Sequence, residues 1–240
     1  MISRTIKTSQ QTSYAIETEQ PDIVAWFDNP ENYTDIILKQ INEDRMYDPI
    51  FTNRSDMTVI DLGANCGLFS LYAQDSCSRL VAVEPTPDTL TVLEEMTAGH
   101  DNITVVQAVV GPDNSPVTFY LNENSTTNSM LNRKGIAITV PGMTLEQLMD
   151  SQELEYVDFI KCDIEGSEMV ALTETTLAPI ADRVGFWFVE VHQTDVDRGP
   201  WPGNLESNRS ALAALFQKFG YQTENVIHDQ LFAWKSLELV

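Results

Sequence analysis

From Met57 onward the chain alternates between short apolar runs and helical periodicity, and no other feature narrows the possible folds as far. The runs at 57–61, 79–84, 103–109, 156–162 and 183–191 are rich in Val, Ile, Leu, Phe and Ala on both strand faces. Strands of that kind are buried on both sides, as in a parallel sheet covered by helices. Between them, 67–74, 87–97, 144–149 and 165–173 read as helices, the second with Leu90, Leu93 and Met96 on one face. Leu212, Leu215, Phe216 and Phe219 recur at helical spacing near the C-terminus. Two strands follow at 222–227 and 230–234, and the short His228-Asp229 turn between them requires an antiparallel pair. The expected fold is therefore α/β, a mostly parallel sheet ending in an antiparallel C-terminal hairpin.

The alternation breaks between the third and fourth strands. Residues 116–121 point Val117, Phe119 and Leu121 one way, and 136–140 alternate through Ile138, which together read as a small β insertion. The polar stretch 122–135 between them is long for a loop inside a domain, so it is either a functional lid or a disordered segment. Before the alternation, residues 1–20 are polar and expected to be mobile. A helix carrying Ile36, Ile37, Leu38 and Ile41 is expected over 31–44. The boundaries are then an N-terminal extension at 1–50 and the main domain at 51–240.

Charge narrows the partners. Thirty-six acids against 14 bases give −22, and the sole adjacent basic pair is Arg133-Lys134. Phosphate backbones need clustered Lys and Arg, so nucleic acid and anionic membrane surfaces are disfavoured. No window approaches the roughly 18 apolar residues of a membrane span. The first seven residues lack the apolar centre of a signal peptide. A soluble, cytoplasmic protein is expected. Cys66, Cys77 and Cys162 are odd in number and lack metal-site spacing, which argues against a disulfide framework or a zinc centre.

The first strand leads into Asp61-Leu62-Gly63-Ala64-Asn65-Cys66-Gly67, a glycine-rich turn opening a helix. Gly63 and Gly67 let backbone turn sharply and come close to a ligand. A dinucleotide fingerprint requires G-x-G-x-x-G, and here Asn65 stands where the second glycine would admit a pyrophosphate. Asp61 at the strand end would repel that pyrophosphate and attract a sulfonium or an amino group. The charge pattern therefore favours S-adenosylmethionine over NAD. Glu84, 23 positions later at the end of the second strand, is placed to accept both ribose hydroxyls, and Pro85 ends that strand. Gln107 and Ala108 end the third strand, where adenine would lie. The cofactor set is Asp61, Gly63, Ala64, Asn65, Gly67, Glu84, Pro85, Gln107, Ala108 and Asp163.

Ligands of open parallel sheets bind beyond the carboxyl ends of the strands. Two later strands end in Lys161-Cys162-Asp163-Ile164-Glu165-Gly166-Ser167-Glu168 and in Phe188-Val189-Glu190-Val191-His192, and alternation puts Glu190 and His192 on one face. Taken with Val59-Ile60-Asp61-Leu62-Gly63-Ala64-Asn65-Cys66-Gly67 and Val83-Glu84-Pro85, these segments resemble the FkbM family of S-adenosylmethionine-dependent methyltransferases over roughly residues 55–195. Residues 141–148, with Thr144-Leu145, are similar to the segment that family places before its fourth strand. The resemblance implies a Rossmann-like class I methyltransferase fold and O-methylation of a small-molecule or glycan hydroxyl.

His192 is the first candidate for the general base, since its ordinary pKa lies near neutrality. Asp163 is the second, with Glu165 and Glu190 orienting base or acceptor. These four residues could instead hold a divalent cation, but their spacing fits no standard loop and no metal is expected. Trp201, in the loop 194–204, would stack on a ring acceptor or cover core. Two other readings remain open: a non-catalytic adenosyl-binding module, and a nicotinamide-dependent oxidoreductase.

Overall fold

Neighbouring residues of each central strand are buried in two different cores. In the computed structural model, Val59, Leu80, Phe159 and Phe188 pack on one face of the sheet, and their neighbours Ile60, Val81, Ile160 and Trp187 pack on the other. The structure describes residues 2–7, 13–18, 41, 45–122, 128–131, 135–193, 204–225 and 229–235. In chain order these form β1 (Ile2–Lys7), β2 (Ser13–Thr18), α1 (Asp48–Phe51), β3 (Met57–Leu62), α2 (Leu68–Ala73), β4 (Cys77–Val83), α3 (Pro87–Thr97), β5 (Ile103–Val106), β6 (Val109–Val110), β7 (Val117–Leu121) and β8 (Ile136–Val140). They continue with β9 (Gly142–Met143), α4 (Leu145–Ser151), β10 (Val157–Cys162), α5 (Glu168–Ala171), α6 (Glu174–Leu177), β11 (Val184–Glu190), α7 (Leu205–Lys218), β12 (Gln222–Asn225) and β13 (Gln230–Trp234).

The main sheet has seven strands in the order β12-β13-β11-β10-β3-β4-β5. Every pairing from β5 to β11 is parallel, and β13 runs antiparallel to both β11 and β12. This is the doubly wound sheet with the antiparallel ending that the sequence pattern predicts. One face is covered by α1, α2 and α3 through Phe51, Phe69, Val92 and Leu93, and the other by α4 and α7 through Leu148, Met149, Leu212 and Phe216. The strand order reverses beside β3, so the carboxyl ends of β3, β4, β10 and β11 open onto one crevice.

Several expected elements differ. The N-terminal residues, read as mobile, contain an antiparallel pair of strands, β1 with β2. Alternating Ile, Thr, Tyr and Ala there suit a strand, a signal outweighed by their polar composition. The helix expected over 31–44 lies outside the described residues except for Ile41, which is helical and 3% exposed. Tyr47 and Phe51, within or beside the expected extension, are core: Tyr47 packs edge-on against Phe69 and Phe188, and Phe51 against Phe159. The third strand breaks after Val106, and β6 leaves the main sheet to pair with β9. The helix expected over 165–173 is two short helices. Glu165 and Gly166 form a left-handed turn, with φ of 54° and 88°, and Thr173 begins the second helix with a capping box. The β insertion is the antiparallel pair β7–β8, with Phe119 and Val140 inward. Loop 194–204, with Trp201, lies outside the described residues apart from Asn204, which caps α7.

Candidate active site

The turn after β3 is built almost entirely by backbone. Gly63 and Ala64 both donate their N–H to Val83 O at 3.0 Å, which ties the turn to the end of β4. Gly63 has a φ of 75°, and a Cβ there would lie 1.8 Å from Asp163 O. Only glycine lets this turn pass the end of β10. Gly67, with a φ of 86°, brings α2 against α3; a Cβ there would lie 2.7 Å from Leu93 Cδ1. Asn65 takes a left-handed conformation at a φ of 52°, a region that Asn tolerates better than most residues.

Glu84 fastens this turn from the neighbouring strand. Its Oε2 accepts the Asn65 N–H at 3.0 Å and its Oε1 accepts the Thr86 N–H at 2.8 Å. Burial pushes its carboxyl up from the usual range, against the hydrogen bonds from Thr86 and Asn65. With a further bond from the Thr86 side chain, the carboxylate still keeps acceptor capacity for a ligand.

A cavity of about 270 Å³ lies over these strand ends. Its walls include Gly63, Ala64, Asn65, Glu84, Pro85 and Ala108 on the donor side, and Lys161, Asp163, Glu165, Ser167 and Glu190 on the other. Tyr47 and Ile41 close one edge; Phe119, Asn128 and Met130 close another. Asn128 and Met130, within the polar stretch 122–135, are thus cavity wall. Asn128 reaches Thr86 Oγ1 at 3.4 Å, and Ser129 Oγ lies 3.4 Å from Ser167 Oγ. Residues 123–127 and 132–134 lie outside the described residues.

Four expected site residues, Asp61, Gly67, Gln107 and His192, stand back from the cavity. Asp61 is 0% exposed and is not among the lining residues. Its Oδ2 accepts from Ser70 Oγ at 2.7 Å, and its Oδ1 lies 3.7 Å from Lys161 Nζ. The strand pleat turns it toward α2 and away from the crevice, so it acts through the turn and through Lys161. Gln107 is exposed and donates to Pro85 O at 3.3 Å, so Ala108, Val109 and Val110 supply the wall in its place. His192 sits behind Asp163 and Glu165. Its Nδ1 is 2.9 Å from Glu168 Oε1, and its Nε2 is 3.6 Å from Glu165 Oε2 and 3.9 Å from Asp163 Oδ1.

Lys161 lines the cavity, although sequence reasoning gave it no role. Register pairs it directly with Asp61, and its Nζ lies 3.1 Å from Asp163 Oδ2 and 5.9 Å from the Phe69 ring centre. A lysine inside an otherwise apolar strand was the available signal, because a buried ammonium needs a partner. Burial opposes its charge, but Asp163 and Asp61 outweigh that and hold it protonated. Burial likewise opposes the Asp163 carboxylate, yet Lys161 and then His192 keep it below the usual range.

The other carboxyls move upward. Burial, then Asp163, pushes Glu165 up to about 8. Asp163, then burial, pushes Glu190 up to about 8. Burial works against a charged His192, but Glu168, Glu165 and Asp163 hold its imidazole protonated well above the ordinary value. His192 is thus bonded to Glu168 and set behind the wall, whereas Glu165 and Glu190 line the cavity.

The residues present fit an adenosyl methyl donor. Glu84 offers acceptor oxygens for a diol, Ala108, Val109 and Val110 offer an apolar face, and the carboxylates opposite suit a cationic centre. Among the lining residues Lys161 is the one basic side chain, and it is paired with Asp61 and Asp163, so the cavity offers little to a pyrophosphate.

The Methyltransferase FkbM domain matches residues 61–223. A curated relative, Methyltransferase sdnD of Sordaria araneosa, is 31% identical over 174 residues, covering 57% of this chain and 66% of its own length. The chain thus spans just under two thirds of that relative. Among solved structures, a Methanococcus jannaschii fibrillarin pre-rRNA processing protein superposes with a TM-score of 0.51 at 12% identity, over 97% of this chain and 83% of its own. A precorrin-6y C5,15-methyltransferase from Geobacter metallireducens gives 0.48 at 15% identity, over 80% and 87%. At 12% identity the fibrillarin speaks to the fold alone, a Rossmann-like class I methyltransferase fold. Matched by the family's pattern over most of its length, the chain belongs to the FkbM family of S-adenosylmethionine-dependent methyltransferases.

Proposed function

We propose that the protein methylates a hydroxyl group of a small molecule or glycan. The observation that carries this reading is the row of Asp163, Glu165 and Glu190 along the cavity wall facing the glycine turn. S-adenosylmethionine, when bound, supplies a methyl group that is already activated. The chain's own task is to align donor and acceptor and to take up one proton, and alignment accounts for much of such a rate. Gly63, Ala64, Asn65 and Glu84 hold the donor, with Pro85 and Ala108 beside them. Gly67 and Asp61 keep the turn in shape.

On the acceptor side, Glu190 or Glu165 takes the hydroxyl proton, since a carboxyl near 8 is a stronger base than an ordinary one. Asp163 stays ionised beside Lys161 and orients the acceptor. His192 steadies Asp163 and Glu165 from behind. The acidic wall and the net charge of −22 disfavour nucleic acid and anionic acceptors. Among the described residues no helix is long and apolar enough to cross a membrane.

The test is transfer of a tritiated methyl group from S-adenosylmethionine to extracted hydroxylated metabolites, with S-adenosylhomocysteine binding measured by calorimetry. Labelled product bearing a methyl ether is the expected result. Absence of S-adenosylhomocysteine binding would sink the reading, and label found on nitrogen or carbon would redirect it.

A further inference from the structure

We propose that Asp163, Glu165 and His192 form a divalent-cation site at the rim of the cavity. One ligand atom from each residue lies within 4.8 Å of the other two. His192 Nε2 stands 3.6 Å from Glu165 Oε2 and 3.9 Å from Asp163 Oδ1. Those separations exceed hydrogen-bond length, so Nε2 is not bonded to either carboxylate. Ligands that share an ion at about 2.0–2.2 Å in tetrahedral geometry lie about 3.3–3.6 Å apart, so these atoms need draw in by only a few tenths of an ångström.

The far side of two ligands is already anchored. Asp163 Oδ2 is held by Lys161 Nζ at 3.1 Å, which leaves Oδ1 free. His192 Nδ1 is held by Glu168 Oε1 at 2.9 Å, and that oxygen also accepts the N–H groups of Ile164 and Gly166. A carboxylate behind the imidazole is the usual outer support of a metal-binding histidine, because it fixes the ring and directs the other nitrogen at the ion.

The surroundings of these ligands are strongly anionic. Glu168 is 1% exposed, and its Oε2 has no hydrogen-bond partner among the described residues; the same holds for Oδ1 of Asp61, which is 0% exposed. Buried anionic oxygens without hydrogen bonds are costly, and Lys161 and His192 are the two cationic side chains close to them. Five carboxyl groups, Asp61, Asp163, Glu165, Glu168 and Glu190, gather here around Lys161 and His192. One nitrogen and two oxygen ligands suit Mn²⁺, Fe²⁺ or Zn²⁺ better than Mg²⁺ or Ca²⁺. Asp163 and Glu165 also face the cavity, so a held cation would present open positions to an acceptor hydroxyl. That last role rests on the proposed methyl transfer; cation binding does not.

The test is titration of the EDTA-dialysed full chain with Mn²⁺, followed by loss of the free-ion signal in electron paramagnetic resonance. One ion per chain at about 100 µM or tighter is expected. H192A and E165A should each weaken binding at least about tenfold, and E168Q roughly tenfold through the imidazole it orients. Circular dichroism and S-adenosylhomocysteine binding identify the variants that remain folded. Absence of binding at 1 mM Mn²⁺ would overturn the site, as would undiminished binding in folded H192A and E165A. Full methyl transfer by the metal-free chain, with no Mn²⁺ uptake, would overturn it and leave the proposed function standing. Mn²⁺ bound through these residues without transfer to any hydroxyl would support the site and count against that function.

Discussion

The two walls of the cavity are made of different materials. The donor wall is mostly backbone: a turn that only glycine can make at Gly63, tied to Val83 O and to one carboxylate, Glu84. The acceptor wall is mostly charge: Lys161, Asp163, Glu165 and Glu190, with His192 and Glu168 behind. Backbone geometry tolerates little change of shape, whereas a charged cluster tolerates shape changes but not changes of protonation. The donor wall should therefore fail to steric substitutions, and the acceptor wall to isosteric ones that only remove charge.

The largest effect is expected at Gly63. Gly63→Ala places a methyl group 1.8 Å from Asp163 O at a φ of 75°. It should cost about 3 kcal/mol in a urea midpoint and abolish S-adenosylhomocysteine binding. A folded variant that still binds would break the contrast between the walls. Next comes Glu190→Gln, which keeps shape and removes a proton acceptor. It should lower kcat by roughly 100-fold to 1000-fold while leaving cofactor affinity unchanged. Glu84→Gln tests the one charge on the donor wall. Calorimetry should record S-adenosylhomocysteine binding roughly 10-fold to 100-fold weaker, in line with hydrogen bonds to a charged group.

The acceptor wall should also register in stability against pH. Glu165 and Glu190 move from 4.5 to about 8 on folding, so the folded chain binds more protons across that window. Stability then falls as pH rises through it, since the carboxyls must ionise in the fold. His192 works in the same direction, its folded-state value being raised, so that its contribution is lost as pH rises. Tm measured from pH 5 to 8.5 should decline, and Glu190→Gln should flatten the decline. A Tm that climbs throughout would contradict the charge balance described for this wall. The smallest effect belongs to a position on neither wall: Ile136→Ser, at a side chain 73% exposed, should change stability by no more than about 0.5 kcal/mol.

The donor wall was far more legible in the sequence than the acceptor wall, for the same reason that the two differ. Gly63, Asn65, Gly67 and Glu84 lie within one strand-turn-helix-strand stretch, and their spacing encodes the backbone path. Lys161, Glu168 and Tyr47 could be read only as a charge in a strand, a helix-favouring acid and an aromatic beside a short helix. Their roles come from partners distant in the chain: Asp61 for Lys161, His192 for Glu168, and Phe69 and Phe188 for Tyr47. Asp61 and Gln107 lie at the strand ends that the sequence indicates, and packing alone sets the side on which their groups point. His192 was rightly drawn to the acids, yet its ordinary pKa was no guide once Glu168 stood 2.9 Å away.

Local order in the chain determined the alternating α/β architecture, the antiparallel ending, the glycine turn and the acid at the end of β4. These follow from side-chain periodicity and from the backbone freedom of single residues, which are properties of neighbours in sequence. Which carboxyls carry protons, which residues form the cavity wall and where a cation would lie were decided only by the tertiary structure. Those properties depend on burial and on charges a few ångströms apart through space, and the register of β3, β10 and β11 sets both.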